Sequence, residues 1–266
     1  MSVKSWDSPG FWTTNYSAIA YSDDNGQTWT VDPSTIRSAA SGRTSVAYVP
    51  GNQNFQQGAF VNGVKLDANG QPVSDGYLYS LGTPSGRGGA AYLSRVPQNA
   101  VQDLTKYQYW NGSTWFANTP SAATPILPGT TTTTSNDPFS WLRNVLVGSF
   151  GGVFDGFFNG FFGWLDSLFE STTTTTYPTV GEMSAQYNTY LNKYVLMYAD
   201  QNNNVVMRTA DAPQGPWSAP TTLVTSTQYP GLYAPMMDPL STGKDIYWNM
   251  SLWGNYNVEL MHTTLP

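Results

Sequence analysis

Residues 16–31 read Tyr16-Ser17-Ala18-Ile19-Ala20-Tyr21-Ser22-Asp23-Asp24-Asn25-Gly26-Gln27-Thr28-Trp29-Thr30-Val31. A short run of alternating apolar and polar residues, the period of a half-buried strand, leads into a cluster of turn formers and re-emerges as a second extended piece opening on tryptophan. The same unit recurs along the chain. Gly76-Tyr77-Leu78-Tyr79-Ser80-Leu81 turns through glycines into Ala90-Ala91-Tyr92-Leu93-Ser94-Arg95-Val96. Tyr107-Gln108-Tyr109-Trp110 turns at Asn111-Gly112 into Thr114-Trp115-Phe116, a strong hairpin signal. Lys193-Tyr194-Val195-Leu196-Met197-Tyr198-Ala199 and Val205-Val206-Met207-Arg208-Thr209-Ala210 flank a polar turn, and Trp217 follows. Trp29, Trp115 and Trp217 each open a short last strand. The spacing is uneven, a degenerate repeat that suits small sheets arranged radially better than a sandwich. The reading is therefore all-β, a β-propeller.

Composition limits what such a protein can do. Among 266 residues only 11% are charged while 15% are aromatic, which excludes intrinsic disorder. A net charge of −6 with eleven scattered Lys and Arg gives no footprint for nucleic acid. Without cysteine there is no thiolate catalysis and no disulfide. A single histidine, His262, forbids a multi-histidine metal site; it sits in the alternating run 258–263 and reads as an ordinary strand residue. No G-x-S-x-G elbow accompanies it, so a serine hydrolase triad is set aside. No cofactor and no metal ligand set is expected.

One stretch departs from the β pattern. Between threonine runs at 130–134 and 172–176, the apolar residues Leu142, Leu146, Phe150, Phe154, Phe157, Phe161, Leu165 and Leu168 recur at helical spacing, interleaved with Gly148, Gly152, Gly156 and Gly160. This predicts a Gly/Phe-rich amphipathic helix over 137–170, inserted in the propeller, with Asp137-Pro138 as its start. Arg143, Asn144, Asp155, Asn159 and Asp166 make a membrane-spanning course costly. Membrane-surface attachment or self-association is the expectation, with packing on the propeller as the alternative. The domain reading is 1–125 for the first blades, 126–178 for the insert and 179–266 for the remaining blades.

Ser22, Asp24, Gly26, Thr28 and Trp29 fit S-x-D-x-G-x-T-W, which resembles the Asp-box of sialidase-like propellers. A carboxylate can hold the turn's amides, glycine can take positive φ, and tryptophan is expected to anchor the hairpin in the core. The motif marks scaffold.

A wider set of residues carries a second resemblance: Trp12-Thr13-Thr14-Asn15-Tyr16-Ser17, Ser85-Gly86-Arg87-Gly88-Gly89, Gly181-Glu182-Met183-Ser184-Ala185-Gln186-Tyr187-Asn188, Pro213-Gln214-Gly215-Pro216-Trp217, Leu232-Tyr233-Ala234-Pro235-Met236 and Met250-Ser251-Leu252-Trp253. Over about residues 1–125 and 177–266 these resemble an actinobacterial, chiefly mycobacterial, propeller family long described as a domain of unknown function, whose members act as endo-D-arabinanases. The resemblance implies a five-bladed propeller, a substrate cleft across its axis, envelope arabinan as polysaccharide substrate, and a secreted or envelope-associated location. Glycoside hydrolysis needs two carboxyl groups. Of three glutamates, Glu170 ends the insert and Glu259 lies in a closing strand, leaving Glu182 as the expected general acid, with a structural turn carboxylate as its alternative. The second carboxylate is not evident: Asp238 precedes Pro239 and reads as a turn residue, and Asp7 reads as a loop acid. Met1-Ser2-Val3-Lys4-Ser5-Trp6 lacks the apolar core of a signal peptide and alternates like a strand. The expectation is a chain lacking the family's first blade and the aspartate on it. Sugar contacts are expected from Asn15, Gln57, Arg87, Tyr187, Tyr233 and Trp253, since rings stack on C–H faces and planar donors pair with hydroxyls. The alternative function is carbohydrate binding without turnover, or a membrane-associated propeller lacking a complete active site.

Overall fold

The computed structural model describes residues 2–8, 11–38, 51–135 and 171–266. Among them there is no α-helix, only strands and short 3-10 turns. The helix expected over 137–170 lies outside the described residues. The chain divides into two compact units, one of Met1–Pro128 with Pro178–Pro266 and the other Gly129–Tyr177.

In the larger unit β1 (Ser2–Ser8) and β2 (Phe11–Ser17) pair antiparallel, and β2 pairs with β5 (Arg37–Ser38). Between them, β3 (Ala20–Tyr21) and β4 (Thr30–Val31) form a separate two-stranded hairpin. A five-stranded meander follows: β6 (Gln57–Leu66), β7 (Pro72–Thr83), β8 (Tyr92–Pro97), β9 (Gln108–Trp110) and β10 (Trp115–Ala117). The smaller unit contains β11 (Thr130–Ser135) and β12 (Ser171–Thr176), paired threonine to threonine. Their hydroxyls meet across the ladder, Thr131 to Thr175 at 3.1 Å and Thr133 to Thr173 at 3.3 Å. The threonine runs are thus strands of one hairpin, as suits a β-branched side chain.

Back in the larger unit, β13 (Met183–Asn188), β14 (Lys193–Ala199), β15 (Val205–Ala210) and β16 (Thr221–Val224) form a four-stranded meander, and β17 (Leu232–Met237), β18 (Asp245–Leu252) and β19 (Asn257–Thr264) a three-stranded one. All three meanders are antiparallel and none closes on itself. In each, the first strand in sequence stands at one edge and later strands follow outward. These first strands are neighbours: β13 packs beside β6 and beside β17. Gln186 Nε2 donates to the Ser241 carbonyl and Asn188 Nδ2 to the Gly243 carbonyl, both at the turn after β17.

The burial of β14 explains why. Six of its seven residues are buried, so it has no solvent face. Tyr194, Leu196 and Tyr198 point into a core shared with Tyr79, Leu81 and Leu93 of the five-stranded sheet. Val195 and Met197, on the opposite side, pack with Leu232, Ile246, Trp248 and Met250 of the three-stranded sheet. Period-two alternation sends neighbours to opposite faces, so a strand apolar throughout needs a sheet on each side. Each such side chain contributes roughly 1.5–3 kcal/mol. Tyr194 adds a polar clamp: its hydroxyl accepts from Val64 N at 2.7 Å and donates to Val64 O, and burial pushes the phenol up to about 12.

Trp29 overturns its expectation. Its side chain is 65% exposed, and its indole N–H donates to the Gly26 carbonyl within its own turn. The hairpin around it is two residues per strand, too small to bury an indole. Trp217 is buried at 5% exposure and Trp115 packs at the margin of the core, so the recurring tryptophan carries different burdens.

Candidate functional site

In every meander the beginning of the first strand lies beside the turn that joins the second strand to the third. Gln57 pairs with Thr83, just before the 84–91 loop; Met183 pairs with Tyr198, just before the 200–204 turn; Leu232 pairs with Leu252, just before the 253–256 turn. Antiparallel pairing places these features at one end of each sheet.

Long-range bonds join those ends into one rim. Thr14 Oγ1 donates to Ser85 Oγ, and Gln57 Nε2 to the Gly86 carbonyl. The 84–91 loop turns at Gly86, whose φ of 93° is one that glycine alone takes freely. Arg87 then reaches to the next sheet. Its Nη1 donates to Asn203 Oδ1 at 2.9 Å, and its Nε and Nη2 donate to Glu182 Oε1 at 3.4 and 3.3 Å. Glu182 Oε2 lies 3.1 Å from Nε but off the N–H direction, so it is in ionic contact without a hydrogen bond and is shielded from water. Glu182 itself is held at the strand start because Ala199 N donates to its carbonyl. Farther on, Ser226 N donates to Asn204 Oδ1 and Ser226 Oγ to the Asn202 carbonyl. At the corresponding end of the third sheet the Tyr233 ring meets Trp253 edge-on at 6.1 Å, and Trp253 tilts against Tyr256 at 5.3 Å.

The sequence pattern assigned separate tasks to Arg87 and Glu182, and the fold puts them in contact, 95 residues apart in the chain. The expected sugar donor is already engaged by the expected acid. Both are more than a third exposed, so the pair is worth at most about 1 kcal/mol of stability. In this pairing Glu182 accepts from a guanidinium, the geometry of a base or an anchor more than that of a proton donor. Tyr233 and Trp253 do lie together, and Trp253 is exposed. Tyr256, part of the family pattern but not among the expected sugar contacts, is more exposed still and takes a positive φ of 52°. In β17, Ala234 has a φ of 50° and the register against β18 shifts between Tyr233 and Met236, the kind of bulge that re-aims a neighbouring side chain. Asn15 is half-buried in β2. Tyr187 is half-buried, edge-on to Tyr194 at 5.2 Å with its phenol pushed up by burial, and it also lines a groove between β6, β13 and β17.

Asp24 behaves as a turn lock. Its carboxylate accepts from Thr28 N at 2.8 Å, from Thr28 Oγ1 at 2.6 Å and from Ser22 Oγ at 2.7 Å, and these bonds hold its acid down to about 2. Asp238 accepts from Leu240 N at 2.9 Å within the turn after β17. Glu259 accepts from Asn257 Nδ2 in β19, and Glu170 lies outside the described residues. The side chain of Asp7 is likewise outside them. His262 sits in β19, 2.9 Å from Asp245 and stacked on Tyr247 at 4.8 Å. Among the described residues no group of three or more His, Asp or Glu could hold a metal ion, and no helix is long and apolar enough to cross a membrane.

A groove of about 570 Å³ runs between the first strands, lined by Ala59, Phe60, Met183, Gln186 and Met236 among others, without an ionisable carboxyl. A second cavity, of about 450 Å³, lies between the end of β2 and the start of β6, with Arg37 in its wall. Composition gave no hint of Arg37: nothing in the local pattern separates it from a solvated arginine, and only burial does.

The chain belongs to the family described as Domain of unknown function (DUF4185), which matches residues 1–151 and 155–262. The match runs through most of 126–178, so the threonine-flanked insert is not set apart from the family by it. A crystal structure titled "putative hydrolase" from Bacteroides ovatus is similar at 10% identity and a TM-score of 0.42, covering 94% of this chain. The chain spans about half of that protein, 51% of its length. No curated protein matches.

Proposed function

We propose that this chain is a carbohydrate-active β-propeller of the five-bladed type, acting on D-arabinofuranosyl linkages of envelope arabinan, with Glu182 as its acid/base carboxylate. The observation that carries the proposal is the pairing of two features at the same end of the sheets: Glu182, fixed by Arg87 between two neighbouring sheets, and, at the corresponding end of the third, the half-buried ring of Tyr233 with the exposed rings of Trp253 and Tyr256. Polysaccharides need both, planar polar groups for hydroxyls and ring faces for C–H surfaces. Support for the propeller comes from the three meanders, each starting on an inner strand, with inner strands adjacent and cores shared between successive sheets. The Ser22–Asp24–Thr28 bonds favour reading residues 22–29 as an Asp-box, whose part is to hold a turn.

The Arg87 fork sets the Glu182 carboxyl group in place. In a hydrolytic cycle it would anchor Glu182 as base, with the partner acid supplied from elsewhere. Glu182→Gln should lower release of reducing ends from arabinan at least 100-fold while thermal unfolding stays within about 1 kcal/mol of wild type, as for an exposed pair. Normal cleavage by this variant ends the assignment.

A second reading is binding without turnover. It is favoured by one observation: Asp200, the carboxylate in the 200–204 turn of the rim, is spent on the amides of Asn202 and Asn204. Arabinan retained on Trp253-dependent affinity electrophoresis, with no reducing ends released by wild type, would select it. Attachment through the 137–170 segment to a membrane or to a second copy is a further proposal, tested by liposome flotation of the chain with and without that segment.

A further inference from the structure

Arg37 is 5% exposed, yet its Nε and Nη2 have no hydrogen-bond partner, and no ion pair among the described residues includes it. Its guanidinium carbon lies 4.8 Å from the centre of the Tyr107 ring. Burial pushes the phenols of Tyr107 and Tyr109 up, with Arg37 opposing, so neither supplies a negative charge at neutral pH. The twelve residues 39–50 that follow β5 contain no Asp or Glu. The Arg37 guanidinium also interacts with the Tyr107 and Tyr109 phenols, which oppose burial there, but two of its nitrogens stay unpaired and no counter-charge stands among the described residues, a situation an anion would relieve.

The space to hold one is adjacent. Arg37 lines the cavity of about 450 Å³, within the range that takes a small ligand. Gln56, 2% exposed, shares the wall and leaves its Oε1 without a donor, although its Nε2 reaches the Arg37 and Asn52 carbonyls. The nearly buried Ser80 adds a hydroxyl. The rings of the buried Phe55 and of Phe60 and Trp29, 46% and 65% exposed, complete the lining. A guanidinium fork matches a carboxylate, an unpaired amide oxygen matches a hydroxyl, and rings match a C–H face.

We infer that this cavity is a binding site for a hydroxylated carboxylate, a sugar acid held with its carboxylate on Arg37 and a hydroxyl on Gln56 Oε1. The cavity shares Gln57 with the rim but holds neither Arg87 nor Glu182, and the inference does not rest on the reading given to Glu182. The acid can come as a free molecule or as a unit of an acidic polysaccharide.

The test is titration of the full chain with sodium D-glucuronate, D-glucose, inorganic phosphate and an oligogalacturonate, read by calorimetry and by Trp29 fluorescence. Glucuronate should bind at least ten-fold more tightly than glucose, and Arg37→Gln should lose at least ten-fold in glucuronate affinity. Glu182→Gln should bind it as wild type does, which separates failure here from failure at the rim. Tighter binding of the oligomer than the monomer identifies a polysaccharide source, and the reverse a free acid; either supports the site. Equal binding of glucose and glucuronate overturns the proposal, as do phosphate binding more tightly than glucuronate and no binding of either acid. If Arg37→Gln fails to fold, the Arg37 Nε–H resonance in wild-type protein decides. A shift on adding glucuronate but not glucose supports the site, and an unmoved resonance overturns it.

Discussion

Arg208 and Arg37 are each 5% exposed, and their surroundings differ in every other respect. Arg208, in β15, donates to the Tyr198 hydroxyl at 2.9 Å and to the Ser218 carbonyl at 2.6 Å, inside a sheet packed on both faces. Arg37, in the two-residue β5, stands beside open volume with two nitrogens idle. An uncompensated buried ion costs several kcal/mol, and a cation–π contact returns about 1–2 kcal/mol. The Tyr107 ring therefore does not balance Arg37, whereas hydrogen bonds do balance Arg208. The same residue type at the same burial is scaffold in one place and binding capacity in the other.

The largest expected effect tests the dense side. Leu196 is fully buried and cross-strand from Arg208, so Leu196→Ala should lower stability in urea by about 3 kcal/mol through lost transfer energy and the cavity left behind. On the open side Phe60→Ala should cost about 1 kcal/mol or less, because its ring is already half exposed and the volume beside it is empty. Equal losses would dissolve the contrast. Next come the arginines themselves. Arg208→Met strands a buried phenol and a carbonyl and should destabilise by about 2 kcal/mol, while Arg37→Met removes an unpaired charge and should leave ligand-free stability unchanged or raised. Matching losses from both would show that Arg37 is held as firmly as Arg208.

The smallest effect is acid titration of the hairpin that carries Trp29. The Asp24 carboxyl is depressed in the folded chain, so its stabilising bonds are intact above about pH 4 and are lost as pH falls through about 2. The Thr28 amide shift and Trp29 fluorescence should change together in that window, and Asp24→Asn should abolish the acid step. Independent movement of the two signals would separate Trp29 from the turn.

Much of the β architecture was legible. Alternation marked β14 and β15, Asn111-Gly112 marked the β9–β10 turn, and Asp200 to Asn204 marked a turn that Asp200 holds by accepting from Asn202 N and Asn204 N. Trp29 was misplaced because a motif gives the turn chemistry but not how much sheet stands behind it. The threonine runs flank the expected helix in the sequence, and their pairing joins two segments about forty residues apart. The rim residues were found one at a time from the family pattern. That Arg87 spends its fork on Glu182 was invisible, since the contact spans two sheets, and Tyr256 escaped because its exposure follows from a left-handed turn residue.

What the sequence determined alone is the local part: strands where alternation and β-branched residues suit an extended chain, turns where Asp, Asn and Gly capture their own amides, and the exclusion of thiol and multi-histidine metal chemistry. Those rest on interactions within a few residues. Only the tertiary structure decided which strands are neighbours, which arginine is satisfied and which stands beside a cavity. Burial and partnership are set by chain segments far apart in sequence, and no local pattern records them.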